Sequence, residues 1–267
     1  MKSAKEKTQD GPRVKPVSQV KRGRSFVIYG RSGTGKTTLG CSFPGDILLL
    51  DIRDEGTDSV ADVDGLMVSE IESFEDAWDM YFWLLDHPKR YKTIILDTVS
   101  QLQSMAVQEY SEKNKKKGKR NAGDWGTLSQ RDWGDIAGQM KELLIAYRDL
   151  SKKGMNVVFI AQDRAFNFDD DEGDSELVPE IGPALSPAVA KTLNAAVNVI
   201  GNTFIRTKTI TKEVKGKKKK IERIEYCLRI GPNPLYVTKV RKPKSVEVSS
   251  FISNPTYDDL LEVITSF

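Results

Sequence analysis

Eight consecutive residues, Gly30-Arg31-Ser32-Gly33-Thr34-Gly35-Lys36-Thr37, satisfy the pattern G-x-x-x-x-G-K-[ST] at each of its fixed positions. This is phosphate chemistry. Glycines let the backbone wrap closely around a phosphate and aim successive N–H groups inward. The start of the following helix adds positive potential, and Lys36 brings a cation to the β- and γ-phosphates of a nucleotide. The Thr37 hydroxyl is placed to ligate a magnesium ion bridging the same phosphates, and Thr38 extends the loop into the helix. The pattern predicts that Gly30 to Thr38 bind ATP with Mg²⁺ and that turnover depends on Lys36.

A second set of residues completes such a site. Thr93-Ile94-Ile95-Leu96-Asp97 reads as a buried strand that delivers a carboxylate at its C-terminal end, where α/β sheets bind ligands. Asp97 is expected to hold the magnesium through water. Hydrolysis also needs a group that orients or deprotonates water. The run Asp51-Ile52-Arg53-Asp54-Glu55-Gly56-Thr57 offers three carboxylates for this, or only a solvated acidic loop. Gln162 follows the apolar run Val157 to Ala161, where its amide either senses the γ-phosphate or closes a strand end.

The elements that must position these residues follow from periodicity. Ser25 to Tyr29 is a short strand that ends at Gly30, and a short helix follows the loop and stops at Pro44-Gly45. Asp46 to Asp51 and Leu66 to Val68 read as strands. Phe74, Ala77, Trp78, Tyr81, Phe82 and Leu85 keep the spacing of one helical face, with Ser73 and Asp76 as its N-terminal cap and Pro88 as its stop. A helix runs through Leu102 and Tyr110, and another from Ile136 to Leu150, closed by Lys152, Lys153 and Gly154. Asn156 to Ala161 is a further strand. Strands alternating with helices predict an α/β fold around a mostly parallel sheet flanked by helices. Ala196 to Arg206, Ile221 to Ile230 and Leu235 to Val240 are β-like, which predicts an antiparallel C-terminal extension, and a helix is expected from about Thr256. Residues 1–24 read as a flexible basic arm and 25–267 as one domain, with a core over 25–205 and a hairpin and helix over 206–267.

Composition sets the remaining bounds. With 39% hydrophobic and 30% charged residues the chain reads as globular. Its apolar runs are strand-sized and its N-terminus lacks an apolar secretory core, so an intracellular, cytoplasmic protein is expected. Cys41 and Cys227 read as free thiols, and His87 beside Pro88 as a helix-end residue. A net charge of +3 implies no partner by itself. Basic residues nevertheless cluster over Lys113–Arg120 and Lys212–Lys220, and acidic ones over Asp169–Glu176. These blocks are either solvated loops or, for the basic ones, phosphate contacts.

Taken in order, these pieces resemble the RecA-like ATPases over roughly residues 25 to 205. The resemblance rests on the phosphate loop, the acidic turn after the second strand, Leu66 to Ser69, Ile94 to Asp97 and Val158 to Gln162. It implies that Glu55 activates water and that Gln162 links ATP to a DNA-binding loop. Direct register places Arg53 at the glutamate's position, so Glu55 needs two further residues in the turn and Asp54 is the reserve. More narrowly, the acidic turn, Trp125-Gly126 with Trp133-Gly134, and Tyr236 to Arg241 are similar to compact phage-encoded members associated with single-strand annealing and recombination. Within Tyr236 to Arg241, Lys239 and Arg241 resemble the Lys-x-Arg finger that related motors insert into a neighbouring subunit's ATP site. The resemblance therefore implies a DNA-stimulated ATPase on single-stranded DNA, assembling into a ring or filament, with a single-strand binding protein as a further partner. The alternatives are a monomeric small-molecule kinase, for which no arginine-rich lid is visible, and a non-catalytic ATP switch that assembles a replication complex.

Overall fold

The structure is a computed structural model that describes residues 14, 22–53, 56–116, 128–166, 180–214, 217–243 and 246–265. The first half runs β1 (Ser25–Gly30), α1 (Lys36–Cys41), β2 (Ile47–Ile52), β3 (Met67–Ile71), α2 (Phe74–Asp86) and β4 (Thr93–Asp97). It continues through α3 (Val99–Lys116), α4 (Gln130–Asp149), β5 (Asn156–Ala161), β6 (Asp163–Phe166), β7 (Glu180–Pro183) and α5 (Pro187–Ala196). Last come β8 (Val199–Val214), β9 (Lys217–Arg229), β10 (Lys239–Val240), β11 (Phe251–Ser253) and α6 (Tyr257–Thr265).

One nine-stranded sheet organises the chain in the order β11-β9-β8-β1-β5-β4-β2-β3, with β10 paired to β8. The stretch from β8 to β3 is parallel throughout, and β9, β10 and β11 join it antiparallel. This is the α/β fold of a P-loop NTPase, as the alternating periodicity predicts. The central strands are apolar on both faces because both are covered. Val27, Tyr29, Ile94, Leu96, Val157 and Phe159 point to the side packed by α2, α3, α4 and α5. Phe26, Ile28, Ile95, Val158 and Ile160 point to the other, where Leu39 of α1 and Leu260 of α6 close the core.

Local signals explain the ends of the elements. The Ser73 hydroxyl accepts from Asp76 N–H at 3.0 Å while the Asp76 carboxylate accepts from Ser73 N–H at 2.8 Å, the reciprocal cap expected there. His87 ends α2, its ring nitrogen 2.8 Å from the Trp83 carbonyl.

The C-terminal part needs correcting at two points. Ala196 belongs to the end of α5, and the strand starts only at Val199. The run Leu235 to Val240 is a strand only over Lys239–Val240. Pro232 and Pro234 interrupt the approach, and the Asn233 carboxamide takes the N–H groups of Leu235 and Tyr236, so those groups are spent on a turn. Strand β8, by contrast, crosses 205–206 without a break and pairs with β9 over its last thirteen residues.

Tyr29 ties the sheet to the segment before β10. It is fully buried, and its hydroxyl lies 2.9 Å from the carbonyl oxygens of both Ile181 and Val237. Burial raises its pKa far above the usual phenol range, so the group stays a donor. Tyr29→Phe is expected to cost about 1–2 kcal/mol, because a buried carbonyl loses its partner. Urea unfolding measures this, and an unchanged midpoint would show that the hydroxyl adds nothing.

Candidate functional site

The phosphate loop is shaped by two glycines, one with no room for a side chain and one whose backbone conformation disfavours it. At Gly30 (φ 155°) an added Cβ would lie 2.4 Å from Thr203 Oγ1 and 2.5 Å from the Thr203 carbonyl. Gly35 (φ 83°) takes the left-handed conformation that turns the loop into α1. Thr34 pins the loop to β8, its hydroxyl 2.6 Å from the Thr203 hydroxyl and 2.7 Å from the Arg31 carbonyl. The buried Lys36 ammonium donates back to the carbonyls of Gly30 (3.0 Å) and Arg31 (2.7 Å), which closes the loop around its own cation. Helix α1 spans only six residues. An anion here would therefore be held by Lys36 and the loop amides more than by a helix dipole.

Topology brings in the second set of residues. Strand β5 lies between β1 and β4, with Tyr29 opposite Ala161 and Asp97 opposite Ile160. The residue that leaves β5 is therefore delivered between the phosphate loop and Asp97. That residue is Gln162. Its N–H donates to Ser100 Oγ at 3.1 Å and its carbonyl accepts from Ala184 N–H at 2.8 Å, so its backbone is fixed on both sides. The Thr37 hydroxyl donates to Asp97 Oδ2 at 2.6 Å across the same gap. Lys36, Thr37, Thr38, Asp97 and Gln162 all line one cavity of about 420 Å³. Burial first, and the Asp97 charge second, push the nearby Cys41 thiol up to about 11.

The donor set suits magnesium. A hydroxyl and a carboxylate already in contact are hard oxygen ligands, and Mg²⁺ takes few protein groups, filling its octahedron with phosphate oxygens and water. Thr37 would hold it directly and Asp97 directly or through water, and the ion would supply positive charge against the phosphates. Among the described residues no cluster of His, Cys, Asp or Glu offers another metal site.

Of the other predicted residues, Ser32, Gly33 and Gly35 line the cavity, while Arg31 is exposed and contributes its carbonyl. Glu55 and Asp54 lie outside the described residues. Arg53, which direct register would put at the water-activating position, is turned away from the cavity. Its guanidinium donates to the Glu72 carbonyl at 3.0 Å and to Gln108 Oε1 at 2.9 Å. Lys239 and Arg241 are not brought to the phosphate loop of their own chain. Strand β10 pairs with Ile200 and Val199 at the start of β8, at the end of the sheet away from Gly30. There Lys239 donates to the carbonyls of Asn194 and Ala195, and Arg241 to that of Ala195, at the C-terminal end of α5. Both side chains thus meet the same Ala195 carbonyl. Burial, then the Arg241 charge, lower the Lys239 pKa.

Four lining residues escaped sequence reasoning: Asp58, Ser59, Thr98, which directly follows Asp97, and Tyr226. Asp58 and Ser59 ride on a 3-10 turn, Gly56–Val60, just beyond the acidic run. Only the continuation of that run hinted at them. Tyr226 is distant in sequence, and nothing local marked it.

A family model described as an AAA domain matches residues 22–242, a span that holds every one of these positions. The chain belongs to the AAA-domain family. No curated protein matches the sequence. AAA-domain membership brings a P-loop ATPase with ATP and Mg²⁺ as its general ligands, in agreement with the cavity's chemistry. Among the described residues no helix is long and apolar enough to cross a membrane.

Replacing Lys36 removes the buried ammonium around which the loop closes. Lys36→Ala is expected to abolish phosphate release from ATP in a coupled assay with the purified protein. Undiminished release would overturn the site.

Proposed function

We propose that this AAA-domain protein hydrolyses ATP as a RecA-like assembly on single-stranded DNA, in phage recombination or replication. The observation that carries the reading is Gln162. It lines the cavity beside Asp97 and Lys36, and the next residue begins β6, which with β7 brackets residues 167–179. The Ala184 N–H bond to its carbonyl ties the returning strand to the same point. Whatever moves Gln162 when γ-phosphate is present or lost moves this hairpin too. That is the coupling a DNA-responsive ATPase needs, and a small-molecule kinase has no use for it. In the cavity, Lys36 and the loop amides hold and orient the triphosphate, Thr37 and Asp97 hold the metal, and Glu55 prepares the attacking water.

The basic clusters are the proposed phosphate contacts. Lys113 is exposed at the end of α3 and Lys220 on β9, while residues 117–120 and the side chains of Lys217–Lys219 lie outside those described. Lys239 and Arg241 would act on the ATP of an adjacent subunit, since they lie far from their own loop along the sheet.

The test measures ATP turnover with and without single-stranded DNA, together with the mass of the particle in each state. Stimulation by DNA in an assembled form is expected, with Glu55→Gln slowing turnover about a hundredfold while still binding ATP. DNA-independent turnover by a full-activity monomer would overturn the proposal. Arg241→Ala is expected to bind ATP and turn over poorly, and mixing it with Lys36→Ala to restore part of the rate. Co-assembled mixtures with no recovery would show that the pair does not act between subunits.

A further inference from the structure

Tyr226 is 45% exposed, on a strand that also carries the buried Cys227 and Leu228. Its place follows from the length of β8. Gly30 pairs with Thr203 at the end of β1, but β8 continues, and the ribbon it makes with β9 passes beyond the phosphate loop. Leu228 lies opposite Thr203 and Tyr226 opposite Ile205, so the alternation puts Tyr226 on the α1 side of the ribbon, just past the loop. Its ring lies 3.4 Å from where a Cβ on Gly35 would stand, so it rests over the last glycine of the loop.

The same ring borders two cavities. One is the phosphate cavity. The other, of about 390 Å³, shares Gly35, Thr38 and Tyr226 with it and is walled by Leu39, Asn254 and Pro255. The chemistry changes across this shared border. Lys36, Asp58 and Asp97 line the first, whereas among the described residues no Lys, Arg, Asp or Glu lines the second. The far wall is anchored to the ring's own backbone: Asn254 N–H donates to the Tyr226 carbonyl at 2.5 Å, and Tyr226 N–H donates to Asn254 Oδ1 at 3.3 Å. Asn254 has φ 48°, which turns the chain so that Pro255 faces the cavity.

A nucleoside triphosphate has this same polarity, charged at one end and aromatic at the other. We propose that the second cavity is the nucleobase site, in which the adenine of ATP packs against the Tyr226 ring, with Pro255 and Leu39 as its apolar walls. This rests on the reading that the phosphate cavity holds ATP. With Oδ1 taken by Tyr226 N–H, the group Asn254 keeps for a base is the amide donor Nδ2, suited to a ring-nitrogen acceptor.

The experiment compares Mg²⁺-ATP with Mg²⁺-bound inorganic triphosphate, which lacks base and sugar, by calorimetry on the full chain. The wild type should bind ATP more tightly than triphosphate. Tyr226→Ala should weaken ATP about tenfold, the scale of one base–aromatic stack, with triphosphate affinity within about twofold. Tyr226→Phe, which keeps the ring, should restore ATP affinity. Equal weakening of both ligands, no weakening of ATP, or a wild type that prefers triphosphate would each overturn the base site while leaving the phosphate site standing. A wild type that binds neither ligand would remove both, and Lys36→Ala, expected to weaken both ligands alike, marks that case.

Discussion

Parallel pairing on both edges of β1 is the constraint from which the site follows. All six of its residues are buried, with β5 on one side and β8 on the other. A strand held this way cannot slip, because a shift of one residue would exchange its two apolar faces. Gly30 therefore leaves the sheet at one height. There it passes so close to Thr203 that a methyl group would collide with the β8 backbone. The loop inherits its position from the sheet, and the lysine, threonine and glycines inherit theirs from the loop.

Inserting β5 between β1 and β4 has a further consequence. It separates Thr37 from Asp97 by a strand, and the Thr37 hydroxyl reaches the Asp97 carboxylate across the gap. A polar residue at the end of the inserted strand then lies between them. Polar groups that are buried or half-buried in such a place need partners, and here they find them: Lys36 takes loop carbonyls, Thr37 takes Asp97, and Gln162 is held by Ser100 and Ala184 through its backbone. The site is thus preorganised, with its groups oriented by the protein.

The ribbon of β8 and β9 is held by charge and aromatic contacts, since much of it lies beyond the core. Arg206 pairs with Glu225 at 2.7 Å and lies over the Phe251 ring, while Arg229 lies over both Phe204 and Tyr236. The Arg206 hydrogen bond holds the Glu225 carboxyl below its usual range. These contacts occupy the face opposite Tyr226, so that the α1 side of the ribbon is presented at the loop.

Motifs whose chemistry is local were legible in the sequence. The phosphate loop, the strand carrying Asp97, the cap at Ser73 and the two-faced apolar strands are each encoded within a few consecutive residues. Their form follows from backbone sterics and periodicity, which act over that same range. Strand order, the placement of Gln162 between loop and carboxylate, and the arrival of Asp58, Ser59 and Tyr226 at the cavity were decided only by tertiary structure. So was the distance of Lys239 and Arg241 from their own loop. Pairing energies are nearly the same for any two apolar strands, so sequence alone does not say which become neighbours. A residue such as Tyr226, about 190 positions from Gly35, meets its partner only after the long β8–β9 ribbon has passed the end of β1, a consequence of pairing length that no local pattern records.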